Sequence, residues 1–260
     1  MLRTGLLGAI ACSRSAGGCS QATAFLAAIS AQSGNYTNAF TTFICGRVTS
    51  GVWAKLDALW FLKAHEQATS LVNAVQPGTF NLTVAGAPTF TADVGWTGVG
   101  STSAYLDTGL SGAAGGTKFS QNSASLGGSV SVGTKTVAQS IIGQNATPTA
   151  YIEPYFTDTN TYWRINSSAD KTFTAPSSLL GTWIASRVDS THGTLYQNGS
   201  SIATDVAASN APQTPNFRIL IGGADPSSLT LTVAFIGGAL TSSDVTDLTN
   251  AISVFQSSVP

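Results

Sequence analysis

The sequence predicts a mainly β protein: an antiparallel β-sandwich over residues 77–260, preceded by a helical N-terminal region (1–76) and closed by a short C-terminal helix. Three observations lead there. Past Pro77, apolar and aromatic residues alternate with polar ones in short runs broken regularly by Gly, Ser and Asn, the pattern of strands joined by turns. Before Pro77 the chain is Ala-rich and its longest apolar pattern has nearly the 3.6-residue period of a helix. Thr241-Ser242-Ser243-Asp244 is a helix-start signature ahead of Val245, Leu248, Ala251, Ile252 and Phe255.

The elements follow in order. Residues 21–30 and 37–48, both Ala- and Phe-bearing, are expected to be helices. The longest helical pattern covers 52–75, where Val52, Leu56, Leu59, Trp60, Leu62, Leu71, Val72 and Val75 are apolar and the charged residues fall mostly elsewhere; Gly51 starts it and Pro77-Gly78 stops it. Trp53, Leu56 and Trp60 on this helix are the expected docking or oligomer contact, with packing on the chain's own sandwich as the alternative. A first hairpin joins 151–156 to 161–166, with Tyr155 opposite Tyr162 and Glu153 opposite Arg164, since paired aromatics and opposite charges favour that register. Ile152, Phe156, Trp163 and Ile165 then form its dry side. A second hairpin joins 183–189 to 194–197, turns at Asn198-Gly199 and lines up Val188, Leu195 and Ile202. Strands at 217–222 and 229–237 complete the β region.

Composition narrows the function. Charged residues are 9 % of the 260, with 11 Lys+Arg against 12 Asp+Glu, so the phosphate-neutralising attraction on which nucleic-acid binding rests is missing. With 43 % apolar residues the chain is expected to fold rather than stay disordered. So few charges leave little to keep copies apart, which predicts assembly. No run reaches the roughly 20 apolar residues of a membrane span, because Arg14 and a Ser/Gly cluster interrupt the one candidate. The opening 1–12 faintly resembles a secretion signal but has one positive charge and a short apolar run, so it is expected to be no leader. Cys12, Cys19 and Cys45 are an odd number without metal-site spacing and are expected to be small buried apolar residues.

Residues 183–189, Thr194-Leu195-Tyr196-Gln197-Asn198-Gly199, Ile219-Leu220-Ile221-Gly222-Gly223 and 233–244, ending in Ala239-Leu240-Thr241-Ser242-Ser243-Asp244, together resemble the C-terminal half of concanavalin A-like, laminin G-like lectin domains. Upstream, 51–59, 88–93 and 101–109 are similar to bacteriophage and prophage proteins in which a helical segment precedes a lectin-like sandwich. The resemblance implies a two-sheet jelly roll on a virion surface, as a fibre, spike or decoration component or an adhesin. It implies a homo-oligomer, a trimer being one arrangement, with other virion proteins and surface polysaccharide as partners.

Chemistry is sparse. Related sandwich glycosidases carry Glu-x-Asp-x-x-Glu on one strand, whereas this chain has two glutamates, Glu66 and Glu153, so no catalytic residue and no enzyme are expected. Of the histidines, His192 reads as a turn residue and His65 as a solvated helix position. Gly95-Trp96-Thr97-Gly98-Val99-Gly100 lacks the strand–loop–helix setting of a phosphate loop and reads as a turn. No cofactor or metal is expected; calcium, found in some laminin G-like domains, would have Asp158, Asn160 and Asp225 as donors, but turn chemistry explains them more simply. The candidate contact surface is Tyr151, Glu153, Tyr155, Tyr162, Arg164 and Asn166, where aromatic rings and polar groups suit a glycan and equally suit a subunit interface.

Overall fold

The computed structural model describes residues 18–114, 116–144, 149–222 and 225–260. Its elements are α1 (Ser20–Ala28), α2 (Gly34–Ser50), β1 (Leu56–Trp60), α3 (Gln67–Ser70), β2 (Thr83–Ala85), β3 (Thr89–Thr91), β4 (Gly95–Thr97), β5 (Tyr105–Ser111), β6 (Ala124–Val132), β7 (Ile142–Gln144), β8 (Ala150–Glu153), β9 (Asn160–Ile165), β10 (Lys171–Thr174), β11 (Gly181–Arg187), β12 (Gly193–Gln197), β13 (Ser200–Asp205), β14 (Asn216–Ile219), β15 (Ile221–Gly222), β16 (Asp225–Pro226), β17 (Thr230–Gly237) and α4 (Ser242–Ser258). All pairings are antiparallel. The first sheet runs β13-β12-β11-β6-β17-β4-β3, with β1 also on β17; the second runs β10-β9-β8-β7-β14-β5-β2. This is the expected antiparallel β-sandwich.

A third layer lies outside the first sheet. Between the sheets sits one core, including Trp60, Trp96, Trp163, Trp183, Leu126, Leu231 and Phe217. A second core forms where α1, α2 and α4 cover the outer face of the first sheet, joining Phe25, Phe40, Ile44, Leu248, Ile252 and Phe255 to Leu59, Phe61, Ile184 and Phe235. Ring centroids of Phe40 and Phe255 lie 4.8 and 4.7 Å from that of Phe61, within the range where aromatic pairs add to simple burial. The capping box of α4 forms as expected, with Thr241 accepting from Asp244 N–H and Asp244 accepting in return.

That third layer explains the main correction. Residues 52–75 are not a long helix: Trp53–Lys55 is a single 3-10 turn, 56–60 is strand β1 and only Gln67–Ser70 is α-helical. Every residue of β1 is buried because both of its faces are covered. With both faces covered, the apolar residues of β1 do not alternate with polar ones, the one polar member, Asp57, being buried and accepting from the N–H groups of Thr117, Lys118 and Phe119, so the spacing also satisfies a helical template. Trp53 and Leu56 belong to the core beneath the helices and Trp60 to the core between the sheets, where its indole N–H donates to Phe80 O at 3.0 Å. None of the three presents a docking surface. His65 correspondingly sits in a loop, near Asp93, and the sheet starts before Pro77.

Three smaller expectations change. Cys19 and Cys45 form a disulfide that ties the start of α1 to α2, while Cys12 and the rest of the opening 1–12 lie outside the described residues. Residues 95–97 are a strand, not a turn; a Cβ on Gly95 would lie 2.2 Å from Leu231 O, so the glycine permits this close approach to β17. In the second hairpin Leu195 pairs with Ala185 and Ala203, and Val188 is exposed. Asn198 and Gly199 do make its left-handed turn, at φ 52° and 82°. A buried ion pair, Arg187 Nη2 to Asp205 Oδ2 at 2.9 Å, secures the end of β11 against the end of β13.

Candidate functional site

The second sheet turns one face to the core and one outward. Along β8, Ala150 and Ile152 enter the core, and along β9, Trp163 and Ile165 do the same. Tyr151, Glu153, Tyr162 and Arg164 therefore share the outer face, as alternation requires. Their pairing is Tyr151 with Arg164 and Glu153 with Tyr162, a slip of two residues from the expected register. A two-residue slip keeps these four side chains on their expected face and changes only their partners.

Pro154 accounts for the slip. It has no N–H to donate and β8 ends before it, so the chain bends and the alternation restarts. Pro154 O instead accepts from Thr161 Oγ1 at 2.8 Å. Beyond the bend Tyr155 turns into the core between the sheets and Phe156 turns out to the face, reversing their expected sides. Asn166 is also not on the face: it lies past the end of β9 with φ 49°, fully buried, and its Nδ2 donates to Ser120 O and Gln121 O.

The small ribbon β15–β16 folds over this face. A Cβ on Gly143 of β7 would lie 2.5 Å from Tyr151 Cβ and 2.9 Å from Gly222 Cα, so the ribbon seats closely against the sheet because position 143 is glycine. The result is a hollow of about 200 Å³ lined by Tyr151, Glu153, Phe156, Tyr162, Asp170 and Asp225. Phe156 and Tyr162 meet edge to face across 5.5 Å. Asp170, from the connection between β9 and β10, and the ribbon's Asp225, distant in sequence, complete the wall.

The polar groups divide into satisfied and unsatisfied ones. Asp170 Oδ1 accepts from both the Tyr151 hydroxyl and Arg164 Nε. Burial pulls the Asp170 pKa upward, and these hydrogen bonds outweigh it, holding the carboxyl below its ordinary value. Asp158 Oδ2 accepts from Tyr162 Oη at 2.6 Å and Asn160 Nδ2 at 3.0 Å, and the Tyr162 bond holds its pKa low. Arg164 thus pairs with Asp170 rather than with Glu153. Glu153 is 3 % exposed and its Oε1 has no hydrogen-bond partner among the described residues. Burial, reinforced by the charges of Asp225, Asp170 and Asp158, raises its pKa to about 9. Burial likewise raises that of Asp225.

Of the other candidates, Asp189 Oδ1 accepts from the N–H groups of Thr191 and His192 at 2.7 and 2.8 Å, so His192 is the expected turn residue. Asp158 and Asn160 make a similar turn while Asp225 stands at the hollow, so the calcium donors are divided between two roles. Among the described residues no three His, Cys, Asp or Glu side chains are arranged to hold a metal ion, and no helix is long and apolar enough to cross a membrane.

No protein-family model and no curated protein sequence matches the chain. The fold has counterparts among solved structures. Domain 4 of an extracellular arabinanase from Geobacillus stearothermophilus, solved with arabinotriose, is similar with TM-score 0.51 and 20 % identity, over 75 % of this chain and 98 % of that domain. Trypanosoma rangeli sialidase in complex with 2,3-difluorosialic acid matches with TM-score 0.54 and 14 % identity, this chain spanning 33 % of its length. A structure of botulinum neurotoxin type C, whose cell entry depends on interaction with two ganglioside molecules, matches with TM-score 0.50 and 9 % identity over 53 % of its length. At these identities the likeness is one of fold, and the fold is the β-sandwich.

Proposed function

We propose that this chain is a non-enzymatic carbohydrate-recognition sandwich that binds saccharide at the hollow between β8, β9 and the β15–β16 ribbon. The observation that carries the reading is the hollow itself: aromatic edges of Phe156 and Tyr162 beside hydrogen-bonding groups of Tyr151, Glu153 and Asp170, in a volume suited to one sugar ring. Sugars are held by apolar C–H faces on aromatic rings with a few polar groups fixing orientation. Neighbours described with arabinotriose, a sialic acid derivative or ganglioside interaction support it. Glycan-array binding, lost in a Phe156→Ala, Tyr162→Ala double variant of unchanged melting temperature, tests it; binding retained by that variant contradicts it.

In its wider setting we propose a structural component of a phage virion surface, assembled as a homo-oligomer through a surface poor in charge. The Cys19–Cys45 disulfide supports a location outside a reducing cytosol. Particle-associated mass spectrometry separates this setting from that of a free carbohydrate-binding module. One observation favours a second reading, a degenerate glycosidase: Glu153 is held protonated and Asp170 ionised in the same hollow, the division of roles an acid and a nucleophile require. Against it, Asp170 Oδ1 is already engaged by Tyr151 and Arg164. Reducing-sugar release from any bound oligosaccharide would favour the second reading.

A further inference from the structure

The hollow holds two carboxyl groups, Glu153 and Asp225, with no hydrogen-bonding or ion-pairing cation on either among the described residues. Nearby positive charge is already committed: Arg164 to Asp170 and the Tyr151 ring, 5.9 Å from its Cζ, and Lys171 to Asp205 at 3.0 Å. Glu153 lines the hollow, is almost fully buried, and its Oε1 has no hydrogen-bond partner among the described residues. A buried polar atom left without a partner costs about 1–3 kcal/mol, so such an atom facing a cavity marks where a ligand group belongs. Phe156 and Tyr162 add ring faces and edges to the same wall, and aromatic rings attract cations as well as sugar C–H groups.

We propose that the hollow recognises an amino sugar bearing a free ammonium group, seated between the carboxyl groups of Glu153 and Asp225 with its ring against Phe156 and Tyr162. This rests on the carbohydrate reading above and adds to it the class of sugar. A neutral sugar would satisfy the protonated Glu153 with a hydroxyl but leave Asp225 without a counter-charge; an ammonium group supplies one and three N–H donors. Binding is coupled to a proton. Free, Glu153 is held in its neutral form by burial and by the negative charges of Asp225, Asp170 and Asp158 around it, with Tyr151, Tyr162 and Arg164 as its other titratable neighbours. On binding, Glu153–COOH and R–NH3+ become the pair Glu153–COO− and R–NH3+, and the proton of the carboxyl is released to solvent.

Isothermal titration at pH 7 of the full chain with the glucosamine trimer, the N-acetylglucosamine trimer and cellotriose tests the proposal. The expected result is at least ten-fold tighter binding of the glucosamine trimer, with close to one proton released as judged from buffers of different ionisation enthalpy. In Glu153→Gln and Asp225→Asn the ratio of glucosamine-trimer to cellotriose affinity falls below three-fold. Equal affinity for all three trimers overturns the amino-sugar assignment and leaves carbohydrate binding standing. No binding of any trimer to a folded protein overturns both. Calcium chloride that releases the same proton with comparable affinity overturns the assignment in favour of a metal site.

Discussion

Tyr151 and Arg164 stand opposite one another across β8 and β9, and both donate to a single oxygen, Oδ1 of Asp170, while the guanidinium lies over the phenol ring. This arrangement keeps Asp170 ionised and takes the one nearby arginine away from Glu153. Two neighbouring carboxyl groups of one wall thereby acquire opposite protonation at neutral pH.

Replacing Asp170 by Asn removes one of the negative charges that act on Glu153. The Glu153 pKa should fall from about 9 yet stay well above the ordinary carboxylate range, because burial is the larger cause and is unchanged. A carboxyl 13C titration of the variant checks this; an unaltered Glu153 midpoint contradicts the coupling.

The same group sets a pH dependence. A carboxyl whose folded pKa is raised from 4.5 to about 9 binds its proton more tightly when folded. Its stabilising contribution is therefore complete below about pH 4.5 and is lost as pH rises toward 9, at a slope of up to about 1.4 kcal/mol per pH unit. Glu153→Gln should flatten the stability profile between those limits and raise the melting temperature above pH 7. Denaturant unfolding at several pH values measures it, and parallel profiles for the two proteins would refute the assignment.

Gly143→Ala should force the β15–β16 ribbon off the sheet, since the new methyl would lie 2.5 Å from Tyr151 Cβ and 2.9 Å from Gly222 Cα. Overpacking of this kind costs roughly 1–3 kcal/mol. Saccharide binding should weaken further than this loss of stability alone explains, because Asp225 moves with the ribbon. Titration of the variant well below its melting temperature reads the two effects separately.

Arg187 and Asp205 are buried without access to solvent. Asp205 also pairs with Lys171, so it is removal of Asp205 that leaves the buried Arg187 without its ion-pair partner and costs about 3–5 kcal/mol. Asp205→Leu should destabilise by that order in urea, whereas the double change Arg187→Leu, Asp205→Leu should recover part of it; equal losses would mean that the charges are not coupled.

The Cys19–Cys45 bond closes a loop of 26 residues, for which chain entropy predicts about 3.5 kcal/mol. Reduction should lower the melting temperature through the layer of α1 and α2, with near-ultraviolet circular dichroism from the Phe25, Phe40 and Phe61 cluster lost first.

How much was legible in the sequence follows burial. β9 has one wet face, so its alternation is plain in the sequence and places Tyr162 and Arg164 outward, and the Thr241–Asp244 capping box announces α4 by local chemistry alone. β1 was illegible as a strand because helices cover its second face and erase the alternation. The disulfide was hidden by a third cysteine that made the count odd. At the hollow, Tyr151, Glu153 and Tyr162 were readable from the hairpin. Tyr155 and Asn166 were misplaced where Pro154 and a left-handed backbone end the strands. Asp170 and Phe156 had no signal beyond an acidic residue after the hairpin and an aromatic one at its bend. Asp225 was weighed only as a calcium donor, since its position depends on a ribbon folding back across the sheet.

The most direct test of the carbohydrate-binding hollow uses the fact that the chain has two glutamates, Glu66 and Glu153. Protein labelled with 13C at the glutamate carboxyl gives two resonances, to be followed in a pH titration and then during addition of the glucosamine trimer. One resonance, absent in Glu153→Gln, should titrate near pH 9 and shift in step with saccharide binding. Two resonances that both titrate as ordinary carboxyls, with neither responding to the sugar, would contradict the account.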